Sequence, residues 1–181
     1  MIDELLDESG LLLSDLDALA FGRGPGAFTG VRIAAGITQG LAYGANLPVI
    51  PISTLAALAQ GSKKSTQYIL SAIDARMGEI YWAIFKVDSD GLVSGVSKEL
   101  VSNPKDIVIP TNGEFVGRGN GWLTYHETLT SKLGSQLIEF DGDTYPQSQD
   151  ILSLAMRELE RGNTVKAEDA LPVYLRNKVT G

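Results

Sequence analysis

Gly22-Arg-Gly-Pro-Gly-Ala-Phe-Thr-Gly-Val-Arg32 is the stretch of this chain that decides how its fold is interpreted. It holds four glycines and one proline, and it lies between an apolar run, Leu16–Phe21, and a long pattern of small residues typical of a helix. Glycine adopts backbone conformations that other residues avoid, so such a loop lets the main chain come close to a phosphate or to another protein. A strand, a glycine-rich loop and a helix in this order indicate an α/β protein.

A second unit of the same kind follows later in the chain. Phe21-Gly-Arg-Gly-Pro-Gly26 and Val116-Gly-Arg-Gly-Asn-Gly121 each follow a predicted strand and precede a predicted helix. Chance can produce such an echo in a chain with 20 glycines, but it also fits a duplicated protein of two lobes. Ligands of α/β folds bind where loops leave the carboxyl ends of strands, so both loops are candidate phosphate or nucleotide sites. Their residues are Gly22, Gly24, Gly26, Thr29, Gly30, Gly117, Gly119 and Gly121.

Composition narrows the function classes. The chain has 181 residues and a net charge of -7, so direct binding to tRNA or DNA is disfavoured because an acidic surface repels phosphates. It has no cysteine and one histidine, which excludes disulfides, thiolate chemistry and Cys/His zinc sites, and no carboxylate cluster predicts a metal. No apolar run is long enough to span a membrane, so a cytoplasmic location is expected.

Periodicity and turn residues predict the elements along the chain. Ser53 is expected to cap one helix, and the strand beginning at Glu79 is apolar on both faces, which is typical of a strand covered on two sides. The predicted helices are Met1–Glu8, Val31–Tyr43, Thr54–Gln60, Pro104–Val108, Trp122–Leu133 and Ser148–Arg161. The predicted strands are Leu16–Phe21, Pro48–Ile52, Tyr68–Ala75, Glu79–Val87, Leu92–Val101, Glu114–Gly117 and Leu137–Phe140.

Nucleotide motifs match poorly. Gly22-x-Gly24-x-x-Ala27 fits the permissive dinucleotide pattern, but Pro25 removes an amide donor that a phosphate would require. The acidic ribose-binding residue is absent as well, since no Asp or Glu occurs from Ala18 through Ile73. No Gly-Lys-Ser/Thr ends the run, so a Walker loop is not predicted.

Catalytic residues are not predicted either. Ser53, Thr29 and Thr54 could act as nucleophiles only beside a base, and His126, the sole imidazole, lies in a predicted surface helix. No Gly-x-Ser-x-Gly elbow occurs in the chain.

Three glycines recur every four residues along the helix predicted after the first loop. Each costs roughly 1 kcal/mol relative to alanine, so three in one row require a reason. A row without side chains lets another helix approach closely, and that helix could belong to this chain or to a partner. We predict a partner interface formed by Ile33, Gly36, Ile37, Gly40, Leu41 and Gly44.

Several motifs resemble one family. Gly24-Pro-Gly-Ala-Phe-Thr-Gly-Val-Arg-Ile33 resembles the signature of the TsaB (YeaZ) family, with Ala27 in place of the usual serine. Ile52-Ser-Thr-Leu55, Asp74-Ala-Arg-Met-Gly-Glu-Ile-Tyr81 and Pro172-Val-Tyr-Leu-Arg-Asn177 resemble further motifs of that family in the same order, so the likeness covers essentially the whole chain. The residues that these motifs mark as structural are Arg32, Asp74, Arg76, Glu79 and Arg176.

The resemblance implies a two-lobed actin-like or Hsp70-like ATPase fold with a ribonuclease-H-like unit in each lobe. It implies a non-catalytic partner of TsaD, which transfers a threonylcarbamoyl group to the adenosine beside the anticodon of tRNA, with TsaE joining the complex. It implies no cofactor bound by this chain itself, although ATP or ADP could lie at the partner interface. An older description of the family as glycoprotease-like is not supported by any protease residues in this chain.

The chain departs from the family pattern at its beginning, where the first three strands of the N-terminal lobe are expected to be missing. The predicted lobes are residues 1–63, with the tail 168–181 packed against them, and residues 64–167. An uncovered sheet edge would favour a homodimer when the chain is alone. Three functions stay open at this point: an activator subunit of TsaD, a nucleotide-binding enzyme of the actin-like class, and, least favoured, a glycoprotease.

Overall fold

The computed structural model describes residues 2–62, 68–109 and 113–176. Its five α-helices and eight strands, counted over these residues, follow the sequence pattern closely. The helices are α1 (Ile2–Ser9), α2 (Phe28–Ala45), α3 (Thr54–Gln60), α4 (Gly121–Leu133) and α5 (Ser148–Glu160). The strands are β1 (Leu19–Gly22), β2 (Val49–Ile52), β3 (Tyr68–Arg76), β4 (Glu79–Val87), β5 (Val93–Gly95), β6 (Leu100–Ser102), β7 (Phe115–Arg118) and β8 (Leu137–Asp141).

The strands form two sheets. In the small sheet β1 and β2 are parallel, with Leu19 opposite Val49 and Gly22 opposite Ile52. The larger sheet has the order β5-β4-β3-β7-β8, and β6 also pairs with β4. Strands β3 and β4 form an antiparallel hairpin, whereas β3, β7 and β8 run parallel to one another. Strand β4 therefore lies inside the sheet, as its apolar sequence predicts.

Local signals explain how α2 and α3 are bounded. Helix α2 ends at Ala45, and its C-cap is Asn46, whose left-handed backbone (φ 53°) suits asparagine better than most residues. Helix α3 begins at Thr54, and the side chain of its N-cap, Ser53, accepts a hydrogen bond from the Ala56 N–H at 3.2 Å, which confirms the predicted cap.

The cores of the two sheets are connected. One buried cluster joins Ile52 of β2 and Leu55 of α3 to Ile69 of β3, Phe85 of β4 and Leu154 of α5. A second cluster, around Trp122, fills the other face of the larger sheet, and a third lies between α2 and the small sheet. The predicted boundary between lobes at residues 63 and 64 lies outside the described residues, so that division stays a prediction.

Several predicted elements are wrong in their bounds. Strand β1 begins at Leu19, three residues after its predicted start, and the helix predicted over Pro104–Val108 is only a 3₁₀ helix, Pro104–Asp106. Helix α2 begins at Phe28, three residues before the predicted start, so Thr29 and Gly30 belong to the helix and not to the loop. The single strand predicted over Leu92–Val101 is two short strands, because the chain bends between them and the Ser97 hydroxyl accepts a hydrogen bond from the Ile84 N–H at 2.9 Å.

Candidate partner-binding surface

The outer face of α2 is apolar and uncovered. Ile33 and Ile37 are 56% and 50% exposed, although isoleucine usually lies in protein interiors. Gly36, Gly40 and Gly44 follow the same face, and a Cβ added at any of them would meet no atom within 4 Å. We call these five residues, with the partly buried Leu41, the α2 stripe.

The opposite face of α2 packs on the small sheet. Ala35, Thr38 and Ala42 are buried there, in a cluster that includes Phe21 of β1 and Val49 of β2. Within the described residues, no segment of this chain occupies the space above the three glycines, so the row is open to a partner. A foreign helix could approach it almost to backbone distance.

The first glycine loop is closed by the chain's own segments. The Gly24 carbonyl accepts a hydrogen bond from the Thr54 N–H at 2.9 Å, and the Arg23 carbonyl accepts one from the Val173 N–H at 2.8 Å. Gly24 has a φ of +97°, and a Cβ there would lie 3.1 Å from the Val173 carbonyl oxygen. Gly22 and Gly26 likewise lie within ordinary contact of Thr54 and Val31. The loop's glycines thus serve packing within the protein.

The second glycine loop is packed more tightly still. A Cβ at Gly117 would lie 2.2 Å from the Trp122 ring, and one at Gly119 would lie 2.4 Å from Leu58 and 2.5 Å from the Ala72 carbonyl oxygen. Gly121 is equally close to Ala72. These glycines are required because a ring and a neighbouring strand occupy the space that side chains would fill.

Arg32 connects α2 to the tail of the chain. Its guanidinium lies 3.6 Å from the centre of the Phe28 ring, and its Nε donates a hydrogen bond to the Tyr174 hydroxyl at 2.7 Å. Such a cation over an aromatic ring contributes about 0.5–1 kcal/mol at an exposed position. Arg32 therefore has a structural role near the start of α2, beside the stripe.

The other family-motif residues surround the β3–β4 turn. The Asp74 carboxylate accepts hydrogen bonds from the Arg76 N–H at 2.8 Å and its guanidinium at 3.2 Å, which stabilises a turn where Arg76 has a φ of 62°. Arg176 of the tail donates to the Glu79 carboxylate at 2.5 Å and to the Arg76 carbonyl at 3.4 Å. The motif residues predicted as structural meet here, apart from Arg32.

An open cleft of about 380 Å³ separates this turn from the first glycine loop. The sequence analysis missed two polar residues near Asp74, of which Asn120 lines this cleft. Asn120 accepts a hydrogen bond from the Asp74 N–H at 3.0 Å, and burial raises the pKa of the Tyr125 phenol, with the Asp74 carboxylate adding to that effect. Asn120 lies in the second glycine loop, so the echo of the two loops was a usable signal, whereas Tyr125 gave none.

The described residues contain no group of three or more histidine, cysteine or acidic side chains that could hold a metal ion. No helix in the described part of the chain is long and apolar enough to cross a membrane. His126 is exposed on α4, and its ring stacks on Phe140 with the centroids 6.1 Å apart.

Comparisons with known proteins indicate the class of protein to which this chain belongs. Residues 1–179 match the family model described as TsaD, tRNA N6-adenosine threonylcarbamoyltransferase. A crystal structure of a Pseudomonas aeruginosa protein described as similar to the peptidase YEAZ has a TM-score of 0.89 and 42% identity, covering 97% of this chain and 81% of that one. YeaZ from the same organism gives a TM-score of 0.89 at 43% identity with the same coverage.

Curated relatives carry a more specific name. The tRNA threonylcarbamoyladenosine biosynthesis protein TsaB of Escherichia coli K12 is 45% identical in an alignment that covers 99% of this chain and 79% of the relative. The protein of the same name from Haemophilus influenzae is 42% identical in an alignment that covers 99% of this chain and 78% of the relative.

The parallel β1–α2–β2 unit, the mixed sheet and the solved neighbours define an α/β protein of the ribonuclease-H-like, actin-like class, which confirms the predicted fold. Within that class the chain belongs to the TsaB family.

Proposed function

We propose that this protein is a non-catalytic activator subunit of TsaD, required for threonylcarbamoyl modification of the adenosine beside the anticodon in tRNA. The TsaB name of its relatives supports the pathway, and the match to a TsaD family model supports a partner of related fold. The heterodimer with TsaD would be the unit that TsaE joins. The acidic chain would contribute protein contacts and leave tRNA binding to its partners.

The uncovered α2 stripe is the observation that carries this proposal. Two half-exposed isoleucines flank a row of glycines with open space above each, so the surface is apolar and flat along several helical turns. Exposed apolar patches on soluble proteins mark interaction sites. A helix of TsaD lying along the stripe would cover Ile33 and Ile37 and approach the backbone at Gly36, Gly40 and Gly44.

A role without catalysis is supported by what the candidate reactive groups do. The Ser53 hydroxyl caps α3, the Asp74 carboxylate accepts hydrogen bonds from Arg76, and His126 lies exposed on α4. Each of these side chains has a structural task or lacks a reaction partner beside it in the described residues.

The glycine loops do not fit a nucleotide as they stand. A phosphate cradle requires open N–H groups, yet Pro25 has no N–H, and the Gly119 N–H already donates to the Asp141 carbonyl at 3.1 Å and to the Thr144 hydroxyl at 2.8 Å. We therefore propose that ATP or ADP, where it takes part, is held between this chain and TsaD. Calorimetry with ATP and Mg²⁺ tests this: micromolar binding with turnover by the isolated chain would contradict it.

Gly40→Leu tests the docking surface. The added side chain has open space in the isolated protein, so the free energy of unfolding should change by no more than about 1 kcal/mol. Against a partner helix the same side chain would hold the two backbones apart. We expect the variant to fold normally and to lose co-purification with TsaD.

Thr130→Leu is the matched control, because it adds a leucine to an exposed position of another helix, α4. This control should bind TsaD as the unmodified chain does. Retained binding by Gly40→Leu, at unmodified affinity, would contradict docking through the stripe.

A further inference from the structure

Arg32 is the one arginine without a carboxylate partner in the part of the chain that the structure describes. The chain has seven arginines, and the other six form ion pairs with Asp or Glu at 3.5 Å or less. Arg32 is exposed on α2, in a stretch from Ala18 through Ile73 that contains no Asp or Glu. In a chain with a net charge of -7, an arginine left without a carboxylate requires an explanation.

The guanidinium of Arg32 is held in one orientation by two aromatic rings. It lies 3.6 Å from the centre of the Phe28 ring and 5.6 Å from the centre of the Tyr174 ring. Its Nε donates to the Tyr174 hydroxyl at 2.7 Å, while its two terminal NH2 groups have no hydrogen-bond partner among the described residues. The planar fork of a guanidinium matches a carboxylate, and fixing it in advance lowers the entropic cost of binding.

Arg32 lies in the same row of α2 as the glycines of the stripe. Phe28, Arg32, Gly36, Gly40 and Gly44 are spaced by four residues, and this spacing places side chains one above the other along a helix. Arg32 is about 6 Å along the axis from Gly36, at a rise of about 1.5 Å per residue. A partner segment that lies along the glycines therefore reaches Arg32 about one turn further on.

The surface around Arg32 lies on the side of α2 that faces the tail. Gln39, on the same flank, donates to the Ala170 carbonyl at 3.3 Å, and Tyr174 belongs to the same tail segment. This segment follows Val165, which bridges Val49 of β2. The exposure of Arg32 is thus determined by α2 and the tail, and does not involve the outer edge of β1.

We propose that Arg32 binds a carboxylate of TsaD, carried by the segment that lies along the α2 stripe. This inference rests on the proposed function and adds the chemistry of the partner, which is an Asp or Glu about one helical turn beyond the residues that cover Gly36. The rings of Phe28 and Tyr174, 49% and 47% exposed, would shield the ion pair from water and strengthen it.

The charge also selects between partners. The α2 helix of a second copy of this chain carries no Asp or Glu, so it would leave Arg32 without a counter-charge. A TsaD segment with a carboxylate at this place would satisfy it. Specificity is a difference between affinities, so one unmatched charge against the wrong partner is enough to favour the right one.

Arg32→Gln tests the ion pair, with the Kd for TsaD measured by titration calorimetry at several salt concentrations. Loss of a hydrogen-bonded charge pair should raise the Kd roughly tenfold to hundredfold. The difference from the unmodified chain should narrow as salt is added, because salt screens the pair that only the unmodified chain forms. Arg161→Gln at the end of α5 changes the net charge equally and is the matched control, which should bind as the unmodified chain does.

Tyr174→Phe separates the charge of Arg32 from its contact with the tail. This variant removes the hydrogen bond to Nε but keeps the guanidinium and both rings. We expect a smaller rise in Kd than for Arg32→Gln and an unchanged dependence on salt. If Tyr174→Phe weakened binding as much as Arg32→Gln, Arg32 would act only by holding the tail, and the proposal would be overturned.

A zero-length cross-link gives an independent measurement. A carbodiimide activates a carboxylate, and an amine in contact with it displaces the urea and forms an amide bond. In Arg32→Lys the new amine should be joined to one Asp or Glu of TsaD, which mass spectrometry of the digested complex identifies. Thr130→Lys places an amine on the exposed face of α4 and should give no such product.

The variants distinguish this inference from the proposed function. If Gly40→Leu lost TsaD while Arg32→Gln kept the unmodified affinity, docking through the stripe would stand and the carboxylate contact would be overturned. Equal effects of Arg32→Gln and Arg161→Gln, or equal cross-linking of the two lysine variants, would also overturn it. A salt-dependent loss confined to Arg32→Gln, with a cross-link confined to Arg32→Lys, would support it.

Discussion

Glycine has two different uses in this chain, and Gly117 and Gly36 show one each. A Cβ at Gly117 would lie 2.2 Å from the Trp122 ring, whereas one at Gly36 would meet nothing within 4 Å. We expect Gly117→Ala to lower the free energy of unfolding by about 1–3 kcal/mol through overpacking. Gly36→Ala should raise it by about 0.5–1 kcal/mol, because alanine favours the helix. Urea unfolding of both variants checks the pair.

Equal stability of the two variants would contradict this division of roles.

The sequence predicted that glycines matter at both places, but it could not separate the two uses. The row at Gly36 follows from spacing along one helix, which is visible in the chain. The tight fit at Gly117 depends on the direction in which the Trp122 side chain folds back over β7. That direction cannot be predicted from the pattern of apolar residues along the chain.

At the scale of elements, the segment after α5 connects parts that are distant in sequence. Val173 bonds to the first glycine loop, Tyr174 bonds to Arg32 of α2, and Arg176 pairs with Glu79 of the β3–β4 hairpin. The side chain of Arg176 is 19% exposed, so its ion pair is partly shielded from water. We expect Arg176→Ala to lower the free energy of unfolding by about 1 kcal/mol.

Arg76→Ala is the matched control, because Arg76 pairs with Asp74 while its side chain is 86% exposed. Its effect should stay within about 0.5 kcal/mol, as for most exposed ion pairs. Thermal unfolding of both variants measures the two effects. If Arg76→Ala lowered the free energy of unfolding as much as Arg176→Ala, the Arg176–Glu79 pair would stabilise the fold no more than an exposed ion pair does.

Helices and strands with strong local signals were predicted well, and those shaped by distant contacts were not. The start of α3 was predicted from Ser53, because an N-cap is an interaction between residues close in sequence. The break between β5 and β6 depends on Ser97 reaching Ile84 in the neighbouring strand, so an apolar run alone predicted one continuous strand. Similarly, the pairing of Arg176 with Glu79 spans 97 residues and has no signature in either segment.

At the scale of the molecule, the sequence predicted two units and the family motifs predicted their class, but neither predicted how the units share a core. Ile52 of the small sheet, Ile69 and Phe85 of the larger sheet and Leu154 of α5 form one buried cluster. A core shared in this way couples the parts energetically, because opening either one exposes the same apolar surface.

We therefore expect the described parts to unfold together, and Leu154→Ala tests it. Leu154 is buried, so its truncation should lower the free energy of unfolding by about 2–5 kcal/mol, whereas the exposed Leu12→Ala should change it little.

Both tryptophans, Trp82 and Trp122, lie in the core of the larger sheet, so their fluorescence follows that sheet while far-UV circular dichroism follows all helices and strands. Coincident transitions by the two probes, in the unmodified chain and in Leu154→Ala, are the expected result. A circular dichroism transition that precedes the fluorescence change would mean that the small sheet unfolds on its own and that the shared cluster does not couple the parts.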